Sequence, residues 1–133
     1  MTISAIHYDI ATLLNDNGFG TLGTDLFGGE WGISVDAQTL VLDGVGTPSD
    51  LKELYEQPSV QILVRGEKNQ AAHLVYSSAK AISDFLVTLA ESVTINTTEY
   101  KGFEPSSNIA PLGKDANERH IYSMNFFTYR AAI

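Results

Sequence analysis

The sequence contains no cysteine among its 133 residues. Disulfide bonds, thiolate metal sites and thiol nucleophiles are therefore excluded. It also lacks long apolar runs, and no stretch approaches the roughly 18 residues that a membrane-spanning helix requires. The first residues, Met1–Ser4, have neither the basic start nor the apolar core of a signal peptide. These absences predict a soluble protein with no membrane partner.

Basic residues are scarce. Eight Lys and Arg face sixteen Asp and Glu, which gives a formal net charge of -8. The excess lies in residues 1–64, which hold nine acids and one base, whereas residues 65–133 hold seven of each. An acidic surface repels phosphate, so direct binding of nucleic acid is not expected. The asymmetry either serves solubility alone or lets one copy dock head to tail on the basic groups of the next.

The composition predicts a single folded domain over residues 1–133, because 44% of the chain is hydrophobic and only 18% is charged. A first helix is predicted over residues 2–17, where Ile and Leu recur at helical spacing before Asn17-Gly18. A second is predicted over residues 69–91, with Asn69 as its N-cap. Its apolar seam indicates core packing rather than a coiled-coil partner. The seam consists of Ala72, Val75, Ala79, Ile82, Leu86 and Leu89.

Short strands are predicted before, between and after these helices. The candidates are Phe19–Phe27, Ile33–Val35, Thr39–Leu42, Val60–Arg65, Val93–Ile95, Tyr100–Phe103 and His120–Arg130. A turn is expected at Thr47–Asp50, one helical turn at Leu51–Glu56 and a polar loop at Glu104–Asn117. This order predicts an α+β fold, with an antiparallel or mixed β-sheet on which the two main helices pack.

The last strand is apolar on both faces. Its odd positions include Ile121 and Phe127, and its even positions include Met124 and Phe126. Such a strand is expected to be covered on both sides, either by helices of its own chain or by another subunit.

No catalytic or metal-ligating constellation is visible. The histidines, His7, His73 and His120, lie in no recognisable motif, and no serine lies in a nucleophile motif. Gly44–Thr47 lacks the lysine of a phosphate-binding loop. The sequence therefore predicts a protein that is not an enzyme and uses no cofactor or metal. A small enzyme or ligand-binding module is the less favoured alternative.

Two segments are candidates for contacts between proteins. The only tryptophan, Trp31, lies in the glycine-rich segment Phe27–Gly32, where its ring either awaits a partner or covers the edge of the core. The second segment, Pro111–His120, concentrates charge before the last strand. There Asp115 either only builds a turn or makes a directed ion pair with Arg119, within the chain or across a subunit boundary.

Three stretches of the chain occur in a characteristic order. They are the strand Pro58–Gly66 ending in Arg-Gly, the alanine-spaced helix after it, and Pro111–Asp115 continuing through Arg119 to Ser123–Phe126. The N-terminal helix and the glycine-rich loop also occur in matching order. Nearly the whole chain therefore resembles the tail terminator proteins of long-tailed bacteriophages, also called minor capsid proteins. Glu118 departs from the pattern, because a glycine is expected there.

The resemblance implies a structural virion protein that assembles into a homo-oligomeric ring, usually a hexamer. Such a ring caps the head-proximal end of the tail tube, ends its growth and offers the surface for joining the head. The implied partners are other copies, the tail tube protein and the head–tail connector protein, and synthesis is in the cytoplasm of the bacterial host. Carried over by position, Arg65, Asp115 and Arg119 are structural or interface residues, and Trp31 is a further interface candidate. A head-completion or connector protein is the alternative role.

Overall fold

The computed structural model describes residues 5–33, 35–44, 55–89 and 92–131. Within these ranges the chain forms two helices and eight strands. In chain order they are α1 (Ile6–Asp16), β1 (Leu26–Gly28), β2 (Gln38–Asp43), β3 (Tyr55–Glu56), β4 (Ser59–Arg65), α2 (Ala72–Val87), β5 (Ser92–Ile95), β6 (Thr98–Pro105), β7 (Ala110–Lys114) and β8 (His120–Ala131). The predicted α+β fold is confirmed, and neither helix is long and apolar enough to cross a membrane.

All of these strands join one mixed sheet. Six of them follow the order β1-β2-β4-β8-β6-β5, and β3 and β7 each pair with β8 as well. Only the β1–β2 pair is parallel, and the other described pairs are antiparallel. The long strand β8 therefore organises the sheet, because four other strands pair directly with it.

One face of the sheet, the inner face, forms the core with both helices. Its central side chains are buried, and they are Val41, Val60, Ile62, Val64, Met124 and Phe126. Each helix turns one apolar stripe onto them, which buries Ile10 and Leu14 of α1 among others. From α2 the buried side chains are Val75, Ala79, Ile82 and Leu86. These four belong to the predicted seam, so its interpretation as core packing is confirmed.

The opposite face of the sheet, the outer face, carries no helix among the described residues, because both described helices pack on the inner face. On this outer face of β4 and β8 the side chains of Arg65 and Ser123 are buried. Five others are half-buried, and they are Gln61, Leu63, Ile121, Asn125 and Phe127. The described helices thus cover the even-numbered side of β8 and leave its odd-numbered side without a helical layer.

Helix α1 has no capping side chain of its own, because Ala5 occupies the N-cap. Asp43, at the end of β2, caps the helix instead. One of its carboxylate oxygens accepts the backbone N–H of His7 at 3.0 Å, and the other lies 3.0 Å from the ring Nδ1 of His7. The predicted glycine stop is confirmed, since Gly18 follows the helix with a φ of 83°. Residues 2–4 of the predicted helix lie outside the described residues.

Helix α2 is shorter than predicted. Its N-cap is Ala71, whereas Asn69 adopts a left-handed φ of 62° in the preceding turn. The backbone N–H of Asn69 donates to the carbonyl of Glu118, which holds it outside the helix. The prediction of Asn69 as N-cap is therefore wrong. Helix α2 ends at Val87, and residues 90–91 lie outside the described part of the chain.

Two strand predictions in the glycine-rich region are wrong. Most of Phe19–Phe27 is turn, because Gly20 and Gly23 adopt positive φ values of 140° and 90°, and pairing as a strand begins only at Leu26. Ile33–Val35 contributes no strand among its described residues and belongs to a loop.

The remaining local predictions are mixed. Tyr55–Glu56 pairs with β8 instead of forming a helical turn, and the supposed loop Glu104–Asn117 contains β7. In both cases pairing with β8 overrides the weak local pattern. The rest of the expected helical turn, residues 51–54, and the expected turn at residues 47–50 lie outside the described residues.

Candidate assembly site

Residues 29–33 and 35–37, here called the Trp31 loop, lie over one end of the outer face, where they contact Gln38 and Arg65. The side chain of Gln38, at the start of β2, anchors this loop to the sheet. Its side-chain oxygen accepts the N–H of Gly32 at 3.0 Å, and its side-chain nitrogen donates to the carbonyls of Gly32 at 2.9 Å and Val35 at 2.6 Å. The loop is therefore held to the sheet at Gly32 and at Val35.

Gly32 allows the loop to approach the sheet closely. A Cβ atom at this position would lie 2.1 Å from the ring of Phe27, which no side chain can tolerate without displacement. Glycine is therefore required by packing here.

Arg65 is directly opposite Gln38 in the β2–β4 pair and anchors the same loop. Its side chain is 6% exposed; Nε donates to the carbonyl of Asp36 at 2.8 Å and Nη2 to that of Val35 at 3.2 Å. Its guanidinium carbon lies 4.4 Å from the centre of the Trp31 ring. Burial lowers the pKa of Arg65, and the nearby cation of Arg119 lowers it further, against the opposing effect of two carboxylates.

Arg119 joins the Trp31 loop to the turn between β7 and β8. Its Nε donates to the carboxylate of Asp115 at 2.8 Å and its Nη1 to that of Asp36 at 3.0 Å. The Arg119 side chain is 14% exposed and that of Asp115 23%, so this ion pair is better shielded from water than an ordinary surface pair. The Asp36 side chain is 50% exposed, so its pair with Arg119 is closer to a surface pair.

Asp115 fills both roles that the sequence left open. Besides the ion pair to Arg119, its Oδ1 accepts the backbone N–H groups of Asn117 at 3.0 Å and Arg119 at 3.1 Å, which builds the turn. Desolvation raises the pKa of Asp115, but the two backbone hydrogen bonds and the guanidinium outweigh it, so the pKa lies below its ordinary value. Glu118, where a glycine was expected, has the left-handed φ of 60° that favours glycine.

The four residues singled out in the sequence therefore meet in one cluster. Trp31 is half-buried and lies over Arg65, while Asp115 and Arg119 approach from the β7–β8 turn. Sequence reasoning missed Asp36, which connects the two segments. No local pattern marks Asp36, because its partner Arg119 is 83 residues away.

The loop presents apolar side chains to solvent beside this cluster. Ile33 is fully exposed and Val35 is 41% exposed. Together with Trp31, Arg65 and Arg119 they line an open depression of about 540 Å³. This pair of exposed apolar side chains makes the loop a candidate for contact with another protein.

A second polar cluster lies inside the molecule and ties α1 to the sheet. Asp9 is completely buried, and its carboxylate accepts hydrogen bonds from the hydroxyl of Tyr100 and from Nδ2 of Asn96, the latter at 2.9 Å. Nη1 of Arg130 donates to the hydroxyl oxygen of Tyr100 at 3.2 Å. Burial raises the pKa of Tyr100, and the hydrogen bond to Asp9 adds to that rise. The cluster links α1 to β6 and β8 inside the fold.

The histidines occupy separate environments. His7 pairs with Asp43 at the start of α1, His73 is exposed on α2, and His120 is half-buried at the start of β8. In the part of the chain that the structure describes, no three His, Asp or Glu side chains gather as metal ligands.

Known proteins resemble this chain in sequence and in fold. A family model described as "Bacteriophage tail terminator protein" matches residues 13–128. A search of curated proteins finds no match. One solved structure superimposes with a TM-score of 0.57 at 5% sequence identity, covering 97% of this chain and 92% of the other. At that identity the superposition shows a shared fold alone.

Proposed function

This chain belongs to the bacteriophage tail terminator family, and we propose from that premise that it forms a ring that caps the phage tail tube. The observation that carries the proposal is the family match, which runs from within α1 to near the end of β8. The family is one of structural phage tail proteins rather than enzymes, and its members belong to the virion.

The proposed ring is a hexamer at the head-proximal end of the tail. It stops addition of tail tube protein and presents the surface to which the head–tail connector binds. A ring of identical subunits repeats one heterologous contact until it closes. It therefore needs surfaces shaped for protein contact, and the exposed apolar tip of the Trp31 loop supports that use.

We propose that Trp31, Arg65, Asp115 and Arg119 act in assembly by fixing the shape of this contact surface. The contacts described for these four residues lie within the chain. They hold the Trp31 loop against the β7–β8 turn, so that both segments meet a neighbour as one rigid unit. Preformed surfaces bind more tightly because less conformational entropy is lost on contact.

Phage particles assembled without this protein test the capping role. Tail tubes of uncontrolled, excessive length are expected, and adding the purified protein to growing tubes should arrest them. Tails of normal length that lack heads would instead assign the chain to the connector. Native mass spectrometry of the protein, with and without tubes, gives the ring size.

Arg119→Glu tests the role of the cluster. The change places a third carboxylate between Asp36 and Asp115, so the two segments should separate and assembly should weaken by more than stability falls. Lys80→Glu is the matched control, because Lys80 forms an exposed pair with Asp84 on α2, which packs on the other face of the sheet. If thermal stability collapses while assembly survives, Arg119 is an internal brace and not an assembly residue.

A further inference from the structure

We infer that strand β5 of one copy pairs with β5 of a second copy, antiparallel, about a two-fold axis that passes between their Val93 residues. The contact lies at one end of the sheet and consists of main-chain hydrogen bonds. It is independent of the proposed ring, because a two-fold contact stops at two copies, whereas a ring repeats a heterologous contact until it closes.

Strand β5 is an edge strand. It ends the strand order β1-β2-β4-β8-β6-β5, and among the described strands only β6 pairs with it. Its Ser92 and Thr94 are exposed, and its Val93 is half-buried. An edge strand presents a row of unpaired N–H and C=O groups, and such a row is matched by the extended backbone of another strand. The occupant of this edge is therefore a β-strand.

The turn after β5 fixes which backbone groups face outward. Both residues of this two-residue turn have positive φ, as in a type I′ hairpin, so Ile95 and Thr98 form the hydrogen-bonded pair beside it. Hydrogen-bonded and non-hydrogen-bonded pairs alternate along an antiparallel ladder, so Thr94 and Ser92 occupy non-hydrogen-bonded positions against β6. Their N–H and C=O groups consequently point away from β6, toward the open side of the sheet.

These outward groups are complementary to themselves. Ser92 and Thr94 lie symmetrically about Val93, so in an antiparallel second copy each Ser92 faces Thr94 of the other chain. Each such pair exchanges two hydrogen bonds, which satisfies every outward group of both strands. The two Val93 residues then face each other as a non-hydrogen-bonded pair on the inner side.

Charge also favours a second copy as the occupant. Each chain has a net charge of -8, so two copies repel each other wherever their acidic surfaces approach. Strand β5, Ser92–Ile95, carries no charge, and neither a proline nor a register shift interrupts it. Native edge strands that stay unpaired are usually blunted by charges, prolines or bulges. Strand β5 has none of these protections.

The other described edges are poor partners for β5. Strand β1 has three residues, and its preceding turn occupies its outer side: the N–H of Leu26 donates to the carbonyl of Thr21 at 3.3 Å, and the carbonyl of Leu26 accepts from Gly23 at 2.9 Å. The edge formed by β6 and β7 contains Pro105 and Pro111, and each of these strands has a register shift. Among the described strands, the partner that fits β5 is β5 itself.

The dimer should be weak and dependent on concentration. Four residues of each copy take part, whereas a stable interface uses roughly 20–30 residues a side. A covalent trap is therefore needed to detect it.

The absence of cysteine allows such a trap with single substitutions. Val93→Cys places two thiols opposite each other across the axis, at the Cα separation of about 4.5 Å that a disulfide can bridge. Thr94→Cys is the matched control, because its thiol is more exposed but the two Thr94 positions lie about 9 Å apart, too far for a disulfide. Random collision favours the more exposed thiol. Under mild oxidation Val93→Cys should nevertheless give the covalent dimer about tenfold faster than Thr94→Cys.

A second substitution tests the hydrogen bonds themselves. Thr94→Pro in the Val93→Cys chain removes an outward N–H and leaves the β5–β6 ladder intact, because proline is tolerated where the N–H of an edge strand faces solvent. Dimer formation should fall about tenfold while the circular dichroism spectrum stays unchanged. Thr94→Val in the same chain keeps the N–H and is the control, which should dimerise as before.

Two results would overturn the inference directly. One is equal dimerisation of Val93→Cys and Thr94→Cys, or of the proline and valine variants. The other is a Thr94 amide whose hydrogen exchange slows only when tail tubes are added, because the edge would then bind a strand of another protein.

Native mass spectrometry separates the two-fold contact from the ring. Rings of the Thr94→Pro chain should persist, and their loss would place β5 in the ring contact and contradict the two-fold pairing. Absence of rings from the original chain, with the Val93→Cys dimer present, would refute the proposed ring alone.

Discussion

The guanidinium of Arg65 lies 4.4 Å from the centre of the indole ring of Trp31, the only tryptophan in the chain. A cation over an aromatic face is stabilised by the ring's quadrupole, and the backbone carbonyls of the same loop bind the guanidinium from its edge. The indole therefore reports on the state of the Trp31 loop and on little else.

Replacing Arg65 by Lys should loosen that loop. An ammonium group cannot stack on the ring and also reach both carbonyls in the plane of a guanidinium, so we expect the free energy of unfolding to fall by about 1–3 kcal/mol. Tryptophan emission should shift to the red, because the indole becomes more hydrated. Urea unfolding followed by fluorescence measures both effects. Lys68→Ala, an exposed neighbour in sequence, should leave both unchanged.

The environment of Asp115 predicts how the stability of the fold changes in acid. Its pKa is lowered in the folded state, so its contribution to stability is complete above the unfolded pKa of about 3.9 and is lost as the pH falls through the lower folded value. Asp115→Asn should therefore be less stable than the original chain near neutral pH, and the difference should shrink below about pH 4. A difference that stays constant down to pH 3 would show that the charge plays no part.

The environment of Tyr100 predicts how the stability of the fold changes in alkali. Its pKa is raised by burial, so its contribution is complete below the unfolded pKa of about 10 and is lost as the pH rises above that value. Tyr100→Phe removes a donor to the buried Asp9 and should cost about 1–3 kcal/mol at neutral pH. It should also flatten the loss of stability in alkali. Tyr129→Phe, at a side chain that is 40% exposed, should do neither.

The turn between β5 and β6 holds a correctable strain. Asn96 and Thr97 have φ values of 48° and 69°, and a β-branched residue such as Thr97 is disfavoured there. Thr97→Gly creates the Asn-Gly pair that this turn prefers and should stabilise the fold by about 1 kcal/mol. Asn96→Gly should destabilise the fold, because the Asn96 side-chain amide donates to the buried carboxylate of Asp9. Thermal melts of both variants check the opposite signs.

The elements that could be predicted from the sequence are those whose own pattern decides their packing. The apolar stripe of α2 and the alternation in Val60–Arg65 each define a buried side, so the fold class and the long elements follow from them. The boundaries follow less well. Asn69 could cap a helix in isolation, but its hydrogen bond to Glu118 places it in a turn.

Only part of the candidate site could be predicted from the sequence. Trp31 among glycines and the charges at Asp115 and Arg119 are visible in the sequence, whereas Asp36 gains its role only from its ion pair to Arg119 across the fold. The cap that Asp43 provides for His7 spans 36 residues and is equally invisible to local patterns. Such contacts depend on how the sheet brings distant segments together.

The strand β7 lies at an open edge of the sheet, and its register against β8 shifts between Pro111 and Gly113. Pro111 has no amide hydrogen to donate, and the shift interrupts the even spacing that a further strand would need. The chain therefore offers no continuous template on this side for fibre growth. The irregularity that makes the segment resemble a loop in the sequence also disfavours edge-to-edge aggregation.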